Sequence, residues 1–98
     1  MLVVEKSIAL NEAVQQMGFE SIEEFALAKA KEEVLEEIAI CNSRIEKFEQ
    51  KYGCDYGEFC SGFHELQQQL FEKEEDSGEW KAELKQLNIL QKRLVRLS

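Results

Sequence analysis

The sequence predicts an all-α fold, mainly a long helix packed against C-terminal antiparallel helices, and three observations carry that prediction. A 3-4 apolar repeat, Leu27, Ala30, Val34, Ile38, Cys41, Ile45, Phe48 and Tyr52, runs through the longest stretch free of glycine. That spacing is the seam along which one helix packs on another. Proline, the strongest helix breaker, is absent from the 98 residues. Ser21 with Glu24, and Asp55 with Glu58, have the spacing of capping boxes that open helices.

Taken in order, Leu2, Val3 and Val4 favour extended backbone, and a strand there needs a paired edge. A second copy of the chain would supply one, so a short N-terminal strand pairing in a dimer is expected. Ile8 to Met17 reads as a short helix with Ile8, Ala9, Ala13, Val14 and Met17 on one side, ended by Gly18 in a left-handed conformation. Residues 1–20 form this strand and helix arm of a single domain, 1–98. The remainder, 21–98, is expected to form a helical hairpin or three-helix layer.

A continuous helix from Ser21 to Tyr52 spans roughly 48 Å, nearly three times the usual globular length of about 11–12 residues, and needs neighbours along it. Most positions between its apolar steps are charged, including Glu32, Glu33, Glu36, Glu37, Arg44, Glu46, Lys47, Glu49 and Lys51. Gly53 stops it, and Phe59, Phe63, Leu66 and Leu70 repeat the apolar spacing in a further helix. The charged run Glu72 to Gly78, closing in Asp76, Ser77 and Gly78, reads as a turn. The last helix carries Trp80, Leu84, Leu87, Leu90, Leu94 and Leu97. Ile89 and Val95 fall outside that stripe, either widening the core or forming a contact surface.

Twenty acidic against twelve basic side chains leave a net charge of -8. Direct binding to nucleic acid or an anionic membrane is therefore not expected, whereas a basic protein surface suits the chain. The imbalance is uneven, because residues 79–98 carry five basic and two acidic groups. The C-terminal segment can attract the acidic body. No apolar run approaches the roughly 20 residues of a membrane span, and the N-terminus lacks a signal-peptide layout. The expected location is cytoplasmic, with the three cysteines reduced.

Cys54, Cys60 and His64, with Cys41 upstream, are the ligand types of a zinc site. The C-x5-C spacing lacks the usual short knuckle, however, and free thiols are the simpler reading. No cofactor is expected. Glu32, Glu33 and Glu36 have an E-E-x-x-E arrangement similar to the magnesium motif of all-α nucleotide pyrophosphatases, with Glu72, Glu75 and Asp76 as the second carboxylate cluster. A solvated helix face explains both clusters more economically.

Two segments resemble known proteins. Leu10 to Glu37, a short helix, Met17-Gly18-Phe19, then Ser21-Ile22-Glu23-Glu24-Phe25 opening a longer helix, resembles the N-terminus of ribbon-helix-helix antitoxins. Ile45 to Gly53, Asp55 through Phe59, and Glu79-Trp80-Lys81-Ala82-Glu83-Leu84 look like small helical proteins of bacterial and archaeal toxin-antitoxin loci. The resemblance implies an acidic partner that covers the basic surface of a toxin, often an RNase. A DNA-reading ribbon needs basic side chains, and the Leu2 to Lys6 segment offers only Lys6.

The expected function is thus noncatalytic protein binding by a homo-oligomer, with Glu32, Glu33, Glu36, Glu37, Trp80, Ile89 and Val95 meeting a small basic protein. The alternatives are a helical homo-oligomeric adaptor and the Mg2+-dependent pyrophosphatase.

Overall fold

The computed structural model describes residues 2–62 and 70–98. They form four helices and, among the described residues, no strand: α1 (Leu2–Gln16), α2 (Ile22–Tyr52), α3 (Tyr56–Gly62) and α4 (Leu70–Leu97). The expected N-terminal strand is corrected by this, since Leu2 to Val4 lie inside α1. With no paired edge, an extended trio has no partner for its backbone, while Glu5, Lys6, Ala9, Leu10, Glu12 and Ala13 all favour continuing a helix.

The helix ends follow local chemistry. Gly18 has φ 97°, and the amides of Gly18 and Phe19 donate to the carbonyls of Gln15 (3.0 Å) and Val14 (2.9 Å), closing α1 in a Schellman motif. Ser21 accepts from the Glu24 amide at 3.1 Å, and the Glu24 carboxylate reaches back to the Glu20 amide at 2.6 Å. The box is reciprocal but offset by one residue. Phe19 and Phe25 meet edge-on across this cap, their centroids 5.3 Å apart. Gly53, at φ 66°, ends α2 by donating to the Glu49 carbonyl at 2.7 Å, and Asp55 opens α3 by accepting from the Glu58 amide at 2.8 Å.

α2 and α4 run antiparallel as a long hairpin, with Val34 and Cys41 packed near Leu90 and Ile45 near Trp80. The molecule measures 68 × 23 × 19 Å, and its 21.1 Å radius of gyration far exceeds the about 13 Å of a compact chain of this size. Opposite charge meets across the pair. The acidic N-terminal half of α2 shares an end of the hairpin with Lys92, Arg93 and Arg96 of α4. A parallel pairing would oppose acid to acid, so charge favours the observed direction.

Two apolar clusters fill the seam. Val34, Cys41 and Leu90 are joined by Ile38, Leu87, Leu94 and Leu97. Ile45, Phe59 and Trp80 are joined by Phe48, Tyr52, Cys54, Tyr56, Leu84 and Leu87. Leu27, expected in the seam, is exposed. α1 contributes little: of its described side chains only Val14 is buried, while Ile8 and Leu10 face solvent, as does Met17 just beyond it.

The expected turn at Glu72 to Gly78 is also corrected, because α4 passes through it without a break. The reason is tertiary. Lys73 is buried, its ammonium 5.6 Å from the Tyr52 ring centroid and 5.7 Å from that of Phe59. Asp76 binds Lys51 and Tyr52, and the Ser77 hydroxyl lies 3.2 Å from that of Tyr56. Polar residues thus extend the α4 seam to its N-terminal end. The expected helix positions Phe63 and Leu66 lie outside the described residues.

Candidate protein interaction surface

Glu32, Glu33, Glu36 and Glu37 project from two successive turns of α2, and all four are exposed. Glu32 accepts a hydrogen bond from Lys29 at 3.2 Å. Among the described residues, no cation of α4 pairs with the other three. The basic side chains farther along α2 are employed differently. Arg44 donates to Glu83 at 3.0 Å and Lys51 to Asp76 at 2.7 Å, both bridging to α4. The ion pairs between α2 and α4 among the described residues therefore lie toward the Trp80 end of the hairpin, away from the four glutamates.

Of the apolar contacts expected, Ile89 and Val95 are exposed. They stand six positions apart on α4, so their side chains diverge by roughly 120° and do not form one patch. Trp80 is corrected as a contact residue. It has no exposed surface and is enclosed by Phe48, Tyr52, Tyr56 and Phe59, with centroids 5.2–6.1 Å away. As the largest apolar group on the inward stripe of α4, it gains most from burial. Leu35 and Ile40 on α2 are also exposed, and they lie off the apolar period that marks the seam; Ile8, expected on the apolar side of the first helix, is exposed as well.

Along one flank of the hairpin runs a groove of about 490 Å³, lined by Arg44, Lys47, Phe48 and Lys51 of α2 and by Glu79, Ala82 and Glu83 of α4. A smaller groove of about 260 Å³ adjoins it through Arg44 and includes Glu37, Ile40, Gln86 and Leu90.

The two carboxylate clusters of the pyrophosphatase reading are not brought together. Asp76 pairs with Lys51 and Tyr52 at the end of α2, whereas Glu37 lies fifteen positions earlier, roughly 22 Å along the helix. Among the described residues, no group of three or more His, Cys, Asp or Glu side chains is placed to hold a metal ion. Of the proposed zinc ligands, Cys54 is half-buried and Cys60 exposed, and His64 lies outside the described residues.

The cysteines are of unlike character. Burial pushes the Cys41 thiol up, and a hydrogen bond to Glu83 adds to this. Partial burial followed by the charges of Glu58 and Asp55 raises that of Cys54. Burial alone would raise the Asp76 carboxyl, but hydrogen bonds from Lys51 and Tyr52 outweigh it and hold that group below the usual carboxylate range.

No family model, curated protein or solved structure significantly matches the chain. Among the described residues, no helix is long and apolar enough to cross a membrane.

Proposed function

We propose that this chain is a noncatalytic protein-binding module whose acidic helical surface covers a basic protein, the role implied by its resemblance to antitoxins of RNase-type toxins. The carrying observation is the exposure of Glu32, Glu33, Glu36 and Glu37 at the end of the hairpin where α2 makes no ion pair with α4 among the described residues. The mechanism is occlusion. Negative potential steers a basic partner and sets its orientation. Exposed apolar groups, Ile89 or Val95 of α4 among them, then supply area that excludes water.

The test is copurification of the tagged chain from its native host at moderate salt, followed by mass spectrometry and an RNase assay of whatever is retained. A stoichiometric basic protein whose retention falls at least tenfold with Glu32→Lys and Glu37→Lys supports the reading. Retention unaffected by these reversals removes the acidic face from the mechanism.

A homo-oligomeric module is the second reading, favoured by the exposed Leu35 and Ile40 on α2.

A further inference from the structure

Ile40 is half exposed, at 51%, on the flank of α2 beside the seam, where it lines a groove with Cys41 and Leu90. Residues four and seven positions away along a helix share its face. Toward the N-terminus these are Glu36 and Glu33; toward the C-terminus they are Arg44 and Lys47. The stripe is therefore a palindrome about Ile40 in which the sign of charge inverts. A two-fold axis through Ile40 sets the α2 helix of one copy antiparallel to that of another. Ile40 then meets Ile40, Glu36 meets Arg44, and Glu33 meets Lys47, each contact occurring twice as an isologous interface requires.

The pairing within one copy fits this arrangement. Among the described residues, Glu33, Glu36 and Lys47 have no ion pair or hydrogen bond from their side chains. Arg44 is 60% exposed and spends one nitrogen on Glu83, leaving further donors of its guanidinium. The next positions out, Lys29 and Lys51, would oppose like charges, and each is already neutralised by its own chain, Lys29 by Glu32 at 3.2 Å and Lys51 by Asp76 at 2.7 Å. The two adjoining grooves, with Phe48 and Ala82 in one and Ile40 and Leu90 in the other, lie along the same flank.

We propose that a second copy of this chain docks antiparallel on α2, centred on Ile40, so that two hairpins form a four-helix assembly. This goes beyond the reading above: it assigns Glu33 and Glu36 to the second copy and leaves Glu37, beside the stripe, and Glu32, which also holds Lys29, for the basic partner.

The experiment is sedimentation velocity on the purified full chain, with no other protein present, so its failure is separate from failure to capture a partner. The wild type sediments as a dimer that weakens with salt. Glu33→Lys with Glu36→Lys makes the stripe wholly basic, and Arg44→Glu with Lys47→Glu makes it wholly acidic. Each variant alone loses at least about tenfold in dimer affinity, the scale of like-charge juxtaposition. An equimolar mixture of the two forms a heterodimer in which every contact is again opposite in sign. A monomeric wild type, variants that dimerise unchanged, or a mixture that stays monomeric overturns the proposal.

Should the acidic variant fail to fold, Ile40→Cys in a Cys54→Ser, Cys60→Ser background keeps the test. Mild copper-catalysed air oxidation yields a covalent dimer through Cys at 40 and not through Cys at 35, since Leu35 points roughly 140° away. Crosslinking at 35 and not at 40 overturns the two-fold.

Discussion

Trp80 of α4 stacks on Phe48 of α2, ring centroids 5.5 Å apart and planes inclined by 15°. Tyr52 continues the stack at 6.1 Å, while Tyr56 and Phe59 close the remaining sides at 5.3 and 5.2 Å. One indole thus joins three helices. Its Nε1 is buried with no oxygen or nitrogen partner among the described residues, surrounded instead by aromatic rings, which are weak acceptors.

Trp80→Ala is expected to cost about 3–5 kcal/mol, the range for removing a large buried aromatic. Trp80→Phe is expected to cost less, because the cavity is smaller and no buried N–H is left unmatched. Urea titrations followed by circular dichroism check both. As the only tryptophan, Trp80 also reports the wild-type transition by fluorescence, shifting to longer wavelength as it meets water. A wild-type chain with water-like emission before denaturant is added would contradict its burial.

Asp76 makes the pH dependence calculable in sign. Its carboxyl is ordinarily near 3.8 and is lower in the folded chain, because Lys51 and Tyr52 donate to it more strongly than burial opposes its charge. Its contribution to stability is therefore fully present above the unfolded value and is lost as pH falls through the lower folded value. Asp76→Asn should remove about 1.5–3 kcal/mol at neutral pH, the scale of hydrogen bonds to a charged group. The gap between variant and wild type should narrow below pH 3.8. A gap that stays constant from pH 7 to pH 2 would show that ionisation of Asp76 is irrelevant to folding.

Much of this architecture is legible in sequence. The stripe Val34, Ile38, Cys41, Ile45, Phe48, Tyr52 and its counterpart Trp80, Leu84, Leu87, Leu90, Leu94, Leu97 are the seam residues observed, since period and volume alone decide them. Ser21 and Asp55 mark boundaries by side-chain oxygens, and Gly53 by its left-handed backbone, all within four residues. Two segments misled for opposite reasons. Leu2 to Val4 favour a strand only if a partner exists. Asp76-Ser77-Gly78 resembles a turn until Tyr52 and Tyr56 are brought beside it, a non-local fact. Candidate contacts were less legible, because exposure decides them. Trp80 is large enough for either role and is buried, and Ile40 lies off the seam period, so no pattern in the sequence marks it.

Thiol reactivity should separate the three cysteines. Cys60 is exposed, Cys54 is half-buried with its thiol raised, and Cys41 is buried with its thiol raised by desolvation and by Glu83. Since the thiolate is the nucleophile, alkylation at pH 8 should proceed in the order Cys60, Cys54, Cys41. Cys41 should react at an appreciable rate only when denaturant opens the hairpin. Peptide mapping after timed iodoacetamide quenches reads the order, and Cys41 labelling as fast as Cys60 would place it outside the core.

Two glycines give opposite forecasts and so test the continuity of α4. Gly53 ends α2 at φ 66°, where a side chain is strained although nothing crowds its Cβ position. Gly53→Ala should therefore destabilise by about 1 kcal/mol. Gly78 is helical, its φ is not positive, and a Cβ there meets nothing within 4 Å. Gly78→Ala should stabilise by about 0.5–1 kcal/mol, because alanine loses less conformational freedom in a helix interior. If Gly78 instead closed a turn in the left-handed region, the same substitution would destabilise. Thermal unfolding of both variants settles the sign: a rise in Tm for Gly78→Ala with a fall for Gly53→Ala is the outcome required by an unbroken helix from Leu70 to Leu97.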